Sequence, residues 1–181
     1  MFFSLRSTGP ATVVCLAVLG GAGRSELRAQ GQPAEPAVQV GPQDLDRCRP
    51  LHRVLTETLE MAAEISGDTI DDWRTRRILP GCRVTAVGSM HREVPGEENE
   101  VFYRTLLAAG WTRTPDPYDR PNEAAAMLRL EGADCFFTPY AGIRLGTEAE
   151  FRVNRAFATR PGETRFSYLA RCVEALPAAP R

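Results

Sequence analysis

The sequence predicts an α+β fold: two helices packed on one face of a largely antiparallel sheet of about five strands, stapled by disulfides. Three observations carry this expectation. Apolar residues recur at helical spacing in two segments, alternate with polar ones through most of the remainder, and share that region with four widely spaced cysteines.

The elements are expected in the order helix, strand, helix, then two β-hairpins. Pro50 suits the first turn of a helix, and Leu51, Leu55, Leu59 and Ala62, with Val54 and Ile65, form one apolar stripe before Gly67 stops it. Cys82, Val84 and Ala86 then alternate with Arg83 and Thr85 as a half-buried strand. A second helix is expected over about Glu97 to Ala109, with Glu97, Glu98 and Glu100 at the positive end of its dipole. Gly110 ends it, and Trp111 folds back onto Leu106.

Ala124 to Glu131 and Asp134 to Tyr140 flank Gly132-Ala133, which suits a type II′ hairpin turn. In that register Leu130 faces Cys135 and Leu128 faces Phe137. Ala149 to Ala158 and Thr164 to Val173 read as a second hairpin around Pro161-Gly162, placing Phe157 opposite Phe166 and Phe151 opposite Cys172.

Domain organisation follows from the ends. Residues 1–29 carry Arg6, the apolar run Ala11 to Leu19 and the small residues Gly20 to Gly23, which are the parts of a secretory signal peptide. The apolar run is too short for a span, which takes roughly 20 residues, so no stable membrane insertion is expected once the signal is removed. Residues 30–43 are a Pro/Gln/Gly-rich flexible leader, 44–175 a single α+β domain and 176–181 a frayed tail. Periplasmic or secreted localisation is the expectation.

All 22 basic side chains are arginine, against 23 acidic ones, and the net charge is −1. That balance excludes nucleic-acid binding by bulk electrostatics, and the lack of lysine excludes lysine-based covalent chemistry. Loss of residues 1–29 removes Cys15 and leaves Cys48, Cys82, Cys135 and Cys172, an even set suited to two bridges in an exported chain. Their separations lack the close pairs of a zinc site. With the second helix as a full crossover, and every later segment a strand, the topology favours Cys82–Cys172 and Cys48–Cys135.

Chemistry is sparse in the sequence. No Gly-x-Ser-x-Gly elbow, phosphate loop or dinucleotide fingerprint is present, so neither a cofactor nor a catalytic set is assigned. The leading expectation is a non-catalytic binding module, an accessory subunit of an envelope complex with a protein partner there. Its interaction surface comprises Tyr118, in the proline-rich loop Thr112 to Asn122, and the outer sheet face carrying Met127, Phe136, Leu169 and Val87. Two alternatives stand beside it. One is a metal-dependent hydrolase using His91 and Glu93 in the loop after the first strand. The other is an anion binder at Arg152 and Arg171, set opposite one another by the second hairpin, with Arg129 on the same face. Internal pairing of these arginines with Glu131, Glu150 or Glu174 competes with that role.

Overall fold

The computed structural model describes residues 38–114 and 126–177. Two short helices, α1 (Pro42–Asp46) and α2 (Arg49–Arg53), lead through a π-helical turn (Val54–Thr58) into strand β1 (Ala62–Asp72). Then come β2 (Arg77–Met90), helix α3 (Glu97–Ala108), the short β3 (Thr112–Arg113), β4 (Ala126–Leu130) and β5 (Ala133–Ala141). Helix α4 (Glu148–Ala156) and strand β6 (Thr164–Glu174) complete the chain order. The sheet runs β1-β2-β6-β5-β4-β3, and each neighbouring pair is antiparallel. The α+β class therefore stands, with six strands in this sheet and a different placement of helices.

The first helix is shorter than its apolar stripe suggests. Glu60 adopts φ 51°, outside the helical region, and the chain enters β1 directly after it. Ala63 and Ile65 belong to a strand face, since their spacing satisfies the period of two as well as it satisfied the helical one. Gly67 is not a helix stop. It lies opposite Cys82 in β1, where an added Cβ would come within 3.0 Å of Val40.

Helix α3 matches its expected span. Trp111 N donates to the Leu106 carbonyl at 3.1 Å, and both side chains are buried. The β4–β5 hairpin forms, but its register differs by two positions. Leu128 pairs with Cys135 and Leu130 with Ala133, because the turn is centred on Glu131 and Gly132, both at positive φ. Two consecutive left-handed residues define the type I′ turn, whose twist matches the strands. A shift of two preserves the faces, so Leu128 and Cys135 still point to the core.

The largest correction concerns Ala149 to Ala158, which is helix α4 and not a strand. Thr147 caps it: Glu150 N donates to Thr147 Oγ1 at 3.2 Å, and Thr147 N donates back to Glu150 Oε2 at 2.9 Å. This reciprocal capping box nucleates a helix where alternation alone suggested a strand.

α2, the π-helical turn and α3 bury Leu51, Leu55, Phe102 and Leu106 against Val84, Ala86, Phe137, Tyr168 and Ala170 on one sheet face. Phe102 stacks on Tyr168 with centroids 3.7 Å apart, and Trp111 meets Phe137 edge-on at 5.9 Å. α4 covers part of the opposite face, where its Glu150 and Asn154 lie over Thr85, Val87, Ser167 and Leu169. Helices thus occupy both faces instead of one.

Candidate functional site

The short β3 after α3 replaces the expected full crossover into β4 and reverses β4 and β5 relative to β2. Helix α4 returns the chain so that β6 stays antiparallel to β2, and together these rearrange the cysteines. With one strand fewer between them, β5 and β6 become antiparallel neighbours, and Cys135 at the start of one lies opposite Cys172 near the end of the other. The bridges are Cys48–Cys82 and Cys135–Cys172, with Cα separations of 6.1 and 4.0 Å. The expected pairs Cys82–Cys172 and Cys48–Cys135 are replaced, although Cys82 does face Cys172 across β2 and β6. All four cysteines are fully buried. Two bridges fit an oxidising compartment. Among the described residues, no helix is long and apolar enough to cross a membrane.

The expected interaction face is largely covered. Met127, Leu169 and Val87 are buried, the latter two beneath α4. Phe136 is half-buried, and the Arg74 guanidinium lies over its ring, 4.9 Å from the centroid. Tyr118 lies outside the described residues.

Each candidate anion-binding arginine has an internal carboxylate, though not from the acids first considered. Arg129 Nε donates to Asp134 Oδ1 at 2.6 Å, and Arg152 Nε donates to Glu64 Oε2 at 2.8 Å. Arg152 sits on α4 and cannot face Arg171 across a ladder. Opposite Arg171 are Phe136 on β5 and Arg83 on β2, and Asp68 lies between the two guanidiniums, 2.8 Å from Arg83 Nη2 and 3.9 Å from Arg171 Nε. The like-charge pair is real, with a different partner and a carboxylate already offsetting it.

On the same face Arg74 and two aspartates form a fully buried network. Arg74 contacts both Asp72 oxygens at 2.9 and 3.0 Å and Asp134 Oδ2 at 2.5 Å. Burial alone would push the Asp134 carboxyl up, but hydrogen bonds from Arg129, Arg74 and the Leu176 amide hold it below the usual range. Leu176, assigned to the frayed tail, also accepts from Arg129 Nη2 through its carbonyl at 2.8 Å. It is anchored to β4 and β5.

His91 is exposed, with Nδ1 3.4 Å from the Gly162 carbonyl, and the Glu93 amide donates to Glu97 Oε2. Among the described residues, the set of three or more His, Cys, Asp and Glu ligand atoms close enough for one ion comprises Cys48, Cys82 and Cys172. His91 and Glu93 gain no third ligand there. Burial pushes the Tyr103 hydroxyl up to about 12 and raises Tyr168 further, so both stay neutral across the physiological range.

Among the exposed large apolar groups, three lie on the loop 142–147 and α4, while Trp73, Ile78, Val94 and Leu107 are exposed elsewhere along the chain. Ile143, Leu145 and Phe151 are 63%, 49% and 50% exposed. Their backbone is held from within. The Glu150 carboxylate is buried and accepts from Arg144 Nε at 2.7 Å and Gly146 N at 2.5 Å as well as Thr147 N. Asn154 binds the Arg144 carbonyl at 3.0 Å, and the Arg144 guanidinium lies over Tyr140. Turning Arg144 inward leaves its neighbours Ile143 and Leu145 outward. Sequence reasoning missed this unit because Phe151 had been placed on the core face of a strand. The motif Thr147-Glu148-Ala149-Glu150 was the signal that would have found it.

Comparison with known proteins brings no match to this chain: no family model, no curated protein and no solved structure.

Proposed function

We propose that this protein is an exported, disulfide-bridged binding module, acting in the periplasm or outside the cell as an accessory subunit of an envelope complex. The observation that carries this reading is the unit of Ile143, Leu145 and Phe151: three large apolar side chains, each about half exposed or more, on a backbone fixed by Glu150. Exposed apolar groups on a rigid support lose little conformational entropy on docking, which favours a protein partner offering an apolar pocket. The two bridges and the signal-like residues 1–29 support export.

Site-specific photocrosslinking in the native host tests the surface. Crosslinkers at positions 145 and 151 are expected to trap one discrete protein adduct, which Ile143→Glu abolishes while the far-ultraviolet circular dichroism stays unchanged. An adduct formed only from a control position at Ile78, on the β1–β2 hairpin, would refute this surface.

A further inference from the structure

The three cysteines of the sheet lie in one row. Cys82, Cys172 and Cys135 occupy directly opposed positions on β2, β6 and β5, on the same face, with Cys172 in the middle. Cys48 joins them from the start of α2, and the sulfurs of Cys48, Cys82 and Cys172 lie within 4.8 Å of one another. Directly opposed residues on antiparallel strands have Cα atoms roughly 4.5–5.5 Å apart, inside the range a disulfide spans. The backbone therefore allows Cys172 to bridge either neighbour, and engagement of Cys82 by Cys48 decides between them.

We infer that the four cysteines form one exchange-coupled unit centred on Cys172, and not two independent staples. With a thiolate at Cys82, its sulfur attacks Cys172. A Cys82–Cys172 bond forms, the Cys172–Cys135 bond breaks, and the electron pair leaves on Cys135, which takes up the proton Cys82 gave up. One disulfide is consumed and one is made, so no outside oxidant or reductant enters this step. In the intact protein the starting thiolate comes from reduction of one bridge by an external thiol or phosphine. The remaining bridge then migrates within the cluster. Cys82 and Cys135 do not bridge each other, because two strand spacings set their Cα atoms about 9.5 Å apart, beyond disulfide reach.

Peptide mapping of the full chain carrying Cys48→Ser, after quenching in acid with an alkylating agent, tests the inference. Folded protein is expected to give both Cys82–Cys172 and Cys135–Cys172 peptides, each at about a tenth of the total or more, and no Cys82–Cys135 peptide. Cys135–Cys172 alone, with Cys82 wholly alkylated, overturns the inference. A mixture containing Cys82–Cys135 also overturns it, because that bridge requires scrambling through the unfolded chain. Should the variant fail to fold, the wild-type protein is treated with a limiting trialkylphosphine. Its single-bridge fraction must then contain Cys82–Cys172, and the absence of that peptide overturns the inference.

Discussion

Arg74→Met is the sharpest test of how the outer sheet face is held together. The guanidinium is fully buried, binds both oxygens of Asp72 and one of Asp134, and lies over Phe136. Methionine fills much of the same volume, so packing changes little while both carboxylates lose their shared cation. Asp134 keeps Arg129 and the Leu176 amide. Asp72 keeps a hydrogen bond from the residue 74 backbone amide, 3.0 Å away, so most of the penalty falls on Asp72. Removing one partner of a buried ion pair costs about 3–5 kcal/mol. With a urea slope of roughly 1–3 kcal/mol per molar, the unfolding midpoint should fall by about 2 M. Adding Asp72→Asn should recover about 1 kcal/mol or more, because a buried amide left short of partners costs less than a charge.

The pH dependence follows from the same network. Asp134 titrates below its unfolded value of about 3.9, so its stabilisation is present above that pH and is lost as pH falls through the lower folded value. The gap between wild type and Arg74→Met should therefore narrow at pH 3 relative to pH 7. A midpoint change under about 0.5 M at neutral pH, or a gap that widens in acid, would refute this account of the network.

Three further outcomes are expected. Thr147→Ala removes the cap of α4 and should cost about 1 kcal/mol, read as a lower thermal midpoint. Gly81→Ala places a Cβ 2.4 Å from the Cys172 carbonyl oxygen and 2.6 Å from Ile70 Cδ1, and overpacking of this kind costs about 1–3 kcal/mol, measurable in urea. Ultraviolet titration should leave Tyr103 protonated near pH 11, since burial holds it near 12. The stability from keeping Tyr103 neutral is full below the unfolded value of about 10 and declines as pH rises from there towards 12, which unfolding at pH 9 and 11.5 would reveal.

The sequence was most legible where every local signal agreed. For α3, acids at the start, Gly110 at the end and Trp111 folded onto Leu106 all pointed to one helix, and the helix formed there. Where two periods fitted the same residues, length and capping decided. Ala62 to Ile65 satisfied helical and strand spacing together, and the positive φ at Glu60 resolved them in favour of a strand. Phe151, Val153 and Phe157 alternated like a strand, while the capping box at Thr147 and Glu150 made most of that stretch helical. The helix moved Arg152 away from Arg171 and covered the face bearing Val87 and Leu169. The two-residue β3, too short to leave a pattern, reversed β4 and β5 relative to β2 and brought Cys135 to the end of the sheet where Cys172 lies. Long-range partners such as Arg74 with Asp134 depend on strand order, which no local pattern encodes.

The bridges also determine which cuts the molecule survives in one piece. Each disulfide closes its own loop, 48–82 and 135–172, and the loops neither overlap nor nest. A protease acting once within the loop 142–147, beside the proposed docking surface, leaves both products covalently joined until a reductant is added. A cut between residues 83 and 134 has no such tether, so denaturation separates two chains, each carrying one closed ring. Gel mobility with and without reductant therefore maps a nick to one region or the other.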